Sequence, residues 1–294
     1  MAAWPSSAFF EQGAADAQDS PLRTHHILDT RRTGARRRGG GHDPGGGGNT
    51  AAIEQTAGGS AFIEQVDAAG GMALIRQTGD GAAEIRQHGA GNHATLELQG
   101  TGNDATVLQD GAGNRAEARL SGSGNRLSAR QTGDDNLLQA TLDGSGVEAD
   151  ILQEGGANSA LLELVGSGHS LDLFQSGGGN LAWVTQAGSS HAATLHQDGG
   201  GSLQLGQHGS GHRLDLAQSG GGNHAGIDQS GSGNGLTVRQ NGGGNSLSFA
   251  QTGAGLGAVV EQSGGQALQV LQNNAMPLHI SQNGMQLTPT PEAP

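Results

Sequence analysis

Glutamine recurs in this chain at a spacing that only a stacked repeat explains. Gln87, Gln109, Gln131, Gln153 and Gln175 follow one another at steps of 22 residues without a slip. Leu98, Leu120, Leu142 and Leu164 keep the same step at the half-way points, so the unit is 11 residues, paired into a 22-residue repeat. Past Gln175 the half-step also becomes glutamine, through Gln186, Gln197, Gln207 and Gln218 to Gln272 and Gln282. Upstream, Gln55, Gln65 and Gln77 continue the series with one irregular interval. A fixed period of this length marks a solenoid, whose units bury their apolar faces only against one another.

Within a unit the residues alternate. Asn92, Ala94, Leu96 and Leu98 are amide, small or apolar, and His93, Thr95 and Glu97 between them are polar. The next unit repeats the pattern with Asn103, Ala105, Val107 and Gln109. A period of two is that of a strand with one buried face. No Asp, Glu or Arg takes the inward phase in any unit so registered, and every arginine beyond residue 50 takes the outward one. Between strands the chain reads Gly-x-Gly, as at Gly89 and Gly91 or Gly177 and Gly179, which allows a tight arc. The expected fold is all-β: a β-solenoid of about 11 stacked two-strand coils over residues 49–284, each coil a 22-residue repeat of two 11-residue strand–arc units. At ~4.8 Å per coil the stack is on the order of 50 Å long.

Residues one coil apart then lie above one another. Asn92, Asn114, Asn136, Asn158 and Asn180 form one expected column, and Gln87, Gln109, Gln131, Gln153 and Gln175 another. Stacked amides donate to one neighbour and accept from the other, so a thin core holds polar residues with their hydrogen bonds satisfied. Asn and Gln as mere turn markers is the competing reading, but it leaves glutamine at a fixed inward phase unexplained.

Composition excludes several classes. With 33% hydrophobic and 2% aromatic residues and 56 glycines, the chain cannot build one large layered domain. A net charge of −13 with low hydrophobicity also fits disorder, but disorder does not require periodicity. Without cysteine there is no disulfide, no thiolate zinc site and no thiol nucleophile. No apolar run is long enough for a spanning helix, and the first residues lack the order of a secretory signal. Residues 1–48 read as a disordered leader, with Arg31, Arg32, Arg36, Arg37 and Arg38 running into polyglycine, and 285–294 as a Pro-rich disordered tail. The repeat region is acidic and aromatic-poor, unsuited to nucleic acid. Pro277, between Met276 and Leu278 of inward phase, removes a ladder donor near the C-terminal end.

Candidate sites are few. His169, His191 and His212 fall in one column at the asparagine phase, where they either bind copper or zinc or replace an amide. The second is expected, since no partners are evident to orient them as ligands. Acids in the arcs are scattered rather than set at a calcium-binding period, and no paired carboxylates line a cleft, so no cofactor and no catalytic residues are expected.

The residues that carry this pattern resemble the curlin repeat. Its Gln-x-Gly-x-Gly-Asn-x-Ala-x-x-x-Gln motif stands complete from Gln175 to Gln186 and from Gln218 to Gln229, and closes on leucine at Leu98 and Leu120. The resemblance covers roughly residues 49–284. It implies an extracellular functional amyloid at the cell surface: a structural subunit or nucleator of curli-like fimbriae, mediating adhesion, aggregation and biofilm matrix formation. Its implied partners are other copies of itself, other curlin-like subunits and export or assembly factors, with no membrane insertion. A secreted solenoid that adheres without polymerising is the alternative.

Overall fold

Along the strands, alternation of residue type becomes alternation of burial: Ala192–Asp198 puts Ala193, Leu195 and Gln197 inside and leaves Thr194, His196 and Asp198 outside. The computed structural model describes residues 48–56, 58–274, 276–283 and 286–287. Apart from Gly48, Gln286 and Leu287, the leader and tail expected at 1–48 and 285–294 lie outside them.

The described residues form an all-β parallel solenoid of about 11 turns, without helix. β1 (Thr50–Thr56) and β2 (Ser60–Val66) are the two sides of the first coil. β3 (Met72–His88) and β4 (His93–Asp110) each run unbroken through an arc and supply both sides of a coil. From β5 (Arg115–Ser123) to β18 (Gly257–Ser263), strands of nine and seven residues alternate. β19 (Ala267–Gln272) and β20 (Leu278–Asn283) close the stack. β21 (Gln286–Leu287) is the one antiparallel element among the described residues, lying along β20 through the pairs Gln282–Leu287 and Asn283–Gln286.

Parallel pairing brings chemically matched residues into rows: Ile53 over Ile75, Leu173 over Leu195, Gln175 over Gln197. The core is thin and continuous, one row of small or branched residues behind another, such as Ala94, Ala116, Leu138 and Ala160. All eight arginines beyond residue 50 are exposed. Glu97 and Arg119, one coil apart, pair at 3.1 Å on the outer surface. An exposed pair of this kind contributes about 0–1 kcal/mol, so the core and the amide columns set the register.

Arcs absorb irregularity. The arc Asp198–Gly201 is one residue shorter than Ser176–Asn180 in the coil before it, which makes the local spacing 21 while the strands on either side keep continuous register. Gly122 shows why arcs need glycine: its φ is +101°, and an added Cβ would run into the carbonyl oxygen of Gly144 in the next coil. At the C-terminal end one expectation is corrected. Met276 is 70% exposed rather than inward, because the shortened last arc takes it off the strand, and Leu278 is only half-buried.

Candidate functional site

The chain's distinctive chemistry lies in its buried amides. Gln65, Gln87, Gln109, Gln131, Gln153, Gln175, Gln197, Gln218, Gln240, Gln262 and Gln282 form one unbroken column, each Nε2 donating to the Oε1 of the next at 2.7–3.0 Å. The same Nε2 reaches sideways to a backbone carbonyl at the start of the preceding strand, as from Gln131 to Arg115 at 3.1 Å and from Gln153 to Leu137 at 3.0 Å. Each glutamine thus ties its coil to the next and braces it across the core. The period of two aims the side chain inward, and the 22-residue step sets amide over amide.

On the other side of the coil the column is interrupted. Gln55 and Gln77 come first, then Leu98, Leu120, Leu142 and Leu164, then Gln186, Gln207, Gln229, Gln251 and Gln272. Because donors point toward the C-terminal end, an interruption orphans only the acceptor that follows it. Gln186 Oε1, next after Leu164, is buried without a partner among the described residues. Gln55 Oε1, at the head of the column, is the other such atom. Gln77, with leucine next, turns its Nε2 back to the Gly81 carbonyl at 2.9 Å.

Asn92, Asn114, Asn136, Asn158 and Asn180 also stand in one column, but their bonding differs from a simple amide ladder. Oδ1 of Asn92 accepts the backbone N–H of Asn114 at 3.0 Å, and Asn114, Asn136 and Asn158 serve the next coil in the same way. The Nδ2 groups mainly donate to arc carbonyls, as from Asn114 to Gly133 at 2.6 Å. Direct side-chain pairs join only some members, such as Asn136 to Asn114 at 3.0 Å. Asparagine is one methylene shorter than glutamine, so its amide meets the backbone of the arc beside it. It marks the arc and bonds along the stack at once.

His169, His191 and His212 are stacked in the opposite column, with ring centroids 5.0 and 4.9 Å apart and planes within 4°. Their Nδ1 atoms accept the backbone N–H of His191, His212 and Asn234 at 3.2–3.3 Å, the part played by asparagine Oδ1. Their Nε2–H groups face the carbonyls of Val165, Ala187 and His208 at 3.0–3.1 Å, the part played by Nδ2. These bonds assign the proton to Nε2. Both nitrogens serve the backbone and the rings lie parallel, so they do not converge as metal ligands; among the described residues no group of three His, Asp or Glu could hold a metal ion. Burial, with the neighbouring His169 and His212, lowers the His191 pKa to about 4. Protonation at Nδ1 would set an N–H against an N–H.

What period alone did not single out is the second asparagine column, including Asn103, Asn125 and Asn234, all buried. Their recurrence at the same phase as Asn92 was the available signal.

A family model described as the Curlin associated repeat matches residues 82–111, 100–133, 170–199 and 213–242. No curated protein matches the chain. The matched segments each span strands that carry the glutamine column. Repeat and fold together suggest a curli-like protein of the cell surface, and both are structural rather than enzymatic. The chain carries repeats of the curlin family within residues 82–242.

Proposed function

We propose that this protein is a structural subunit or nucleator of extracellular curli-like amyloid fibres, which it forms by end-to-end stacking of coils, and that the fibres serve adhesion, aggregation and biofilm matrix. The observation that carries the reading is Gln55 Oε1, a buried acceptor at the N-terminal end of the stack without a donor among the described residues. The complementary donor sits at the other end. Interior Gln251 gives Nε2 to Gly235 O at 3.1 Å and to Gln272 Oε1 at 2.9 Å. Terminal Gln272 keeps the first kind of bond, to Gly257 O at 3.1 Å, but folds its second N–H back to Met276 O at 2.7 Å. A second copy placed with Gln55 over Gln272 and Gln65 over Gln282 exchanges that fold-back for the missing axial bond. The outer edges of β1 and β2 carry no strand among the described residues, and open edges template further pairing. A contact between unlike ends does not close on itself and gives a filament. Other curlin-like subunits with the same column would fit the same ends, and export or assembly factors would deliver the chain to the surface.

The alternative is a surface solenoid that adheres without polymerising; β21, which covers the outer edge of β20, favours it. Thioflavin fluorescence and electron microscopy on purified chain released from denaturant, seeded and unseeded, separate the two. Seedable fibres with a ~4.8 Å cross-β reflection are expected. A β-rich monomer that persists at high concentration, with or without seeds, refutes the fibre reading.

A further inference from the structure

A glycine on the solvent face of a strand weakens the strand and needs a reason. Gly206 lies in β13 (Ser202–Ser210) and Gly226 in β15 (His224–Ser232), both at the outward phase, in unbroken parallel register. Neither has a positive φ; an added Cβ would make only ordinary contact at Gly226, with Leu247 O at 3.8 Å, and at Gly206 it would press on the far end of the exposed His208 side chain, Nε2 at 3.3 Å, which must give by a few tenths of an ångström. No turn, bulge or backbone clash requires glycine at either place. What the two glycines leave is the floor of an open trough of about 470 Å³.

Its edges carry complementary chemistry. On one side stands the indole of Trp183, from β11 (Leu181–Ser189), 50% exposed. Gln204, His208 and Asp228 are exposed around the floor. His208 Nε2 and Asp228 Oδ1 lie 3.3 and 3.8 Å from the point where a Cβ on Gly206 would sit. A hydroxyl placed there lies close to both the imidazole and a carboxylate acceptor. Neither side chain makes a hydrogen bond elsewhere among the described residues, so both are free to serve a ligand.

We propose that this trough binds a neutral pyranose unit of a polysaccharide. The ring's C–H face lies on the Trp183 indole, whose amphipathic surface suits a ligand apolar on one side and hydroxylated at its rim. The hydroxyls bond to Gln204, His208 and Asp228 over the glycine floor. The carboxylate disfavours an anionic sugar, and the three polar groups disfavour a wholly apolar ligand. The site belongs to each single coil stack, so it does not depend on fibre formation.

The test is isothermal titration of the full chain with neutral hexose oligomers (cellohexaose, mannohexaose and maltohexaose), alongside indole fluorescence in a Trp4→Phe background that leaves Trp183 as the reporter. Saturable binding of at least one oligomer with a shift in Trp183 emission is expected. Trp183→Ala should abolish the binding heat. Gly206→Thr fills the floor with a good strand former, and should weaken binding at least tenfold with an unchanged far-ultraviolet spectrum. No binding of any of the three, or binding untouched by Gly206→Thr, overturns the proposal. So does Trp183 becoming shielded with protein concentration but not with sugar, which would assign this face to a second copy of the chain.

Discussion

If donors in the glutamine column all point one way, damage to it should be counted in interruptions rather than in residues. Gln153 accepts from Gln131 at 2.8 Å, donates to Gln175 at 2.8 Å and braces to the Leu137 carbonyl at 3.0 Å. Gln153→Leu leaves Gln175 Oε1, fully buried, without its donor. Orphaning a buried acceptor costs about 1–3 kcal/mol. The lost brace, about 0.5–1.5 kcal/mol net, is offset by burying leucine, as the run Leu98, Leu120, Leu142 and Leu164 shows can be done in this space. Gln131→Leu alone orphans Gln153 in the same way, but in the double variant only Gln175 Oε1 lacks a donor. The pair should therefore cost about as much as either single, a coupling energy of about 1–3 kcal/mol. Gln109→Leu with Gln175→Leu makes two separate interruptions three coils apart and should be additive. Gln186→Leu only lengthens the existing leucine run and moves the orphan to Gln207, so it should change stability by less than about 0.5 kcal/mol. Urea unfolding of the monomer, followed by far-ultraviolet circular dichroism, measures all of these. Additivity in the adjacent pair, or a cost for Gln186→Leu equal to that of Gln153→Leu, refutes the directional ladder.

Three further outcomes are expected. With its folded pKa lowered from 6.5 to about 4, His191 contributes stability that is complete above pH 6.5 and is lost as pH falls toward 4; urea midpoints across that range should fall less steeply in His191→Asn, and parallel profiles would refute the role given to Nδ1. Ala157 holds a φ of +56° at an arc position where Gly179 stands one coil on, so Ala157→Gly should raise stability by about 1 kcal/mol in the same unfolding assay. Removal of residues 284–294 takes β21 off the edge of β20 and should speed seeded elongation read by thioflavin, whereas a slower rate would mean that β21 belongs to the joint.

The architecture was legible because period and phase are properties of the string itself. Stepping from Gln87 by 22 residues identifies which side chains stack, and alternation around Leu96 identifies which face is inside. Period does not say which atoms meet. That asparagine bonds chiefly to backbone while glutamine bonds to glutamine turns on one methylene, visible only once the arc carbonyls of Gly111 and Gly133 are placed beside Asn92 and Asn114. That His191 stands in for an amide depends on where its two nitrogens point. The exposed course of Met276 depends on an arc shortened near the end of the stack, where there is little repetition left to read. Trp183 sits at an ordinary outward phase, and its surroundings come from strands 21 and more residues away.

In electrostatic terms, the unbroken glutamine column is a row of amide dipoles aligned along the axis through ten successive bonds. As in an α-helix, where aligned peptide dipoles leave opposite partial charges at the two ends, the column begins on oxygen and ends on N–H. Two copies that meet by their N-terminal faces set oxygen against oxygen, while unlike faces attract. A filament of such chains has a single sense from tip to tip, so its two tips are chemically different surfaces and should grow at different rates.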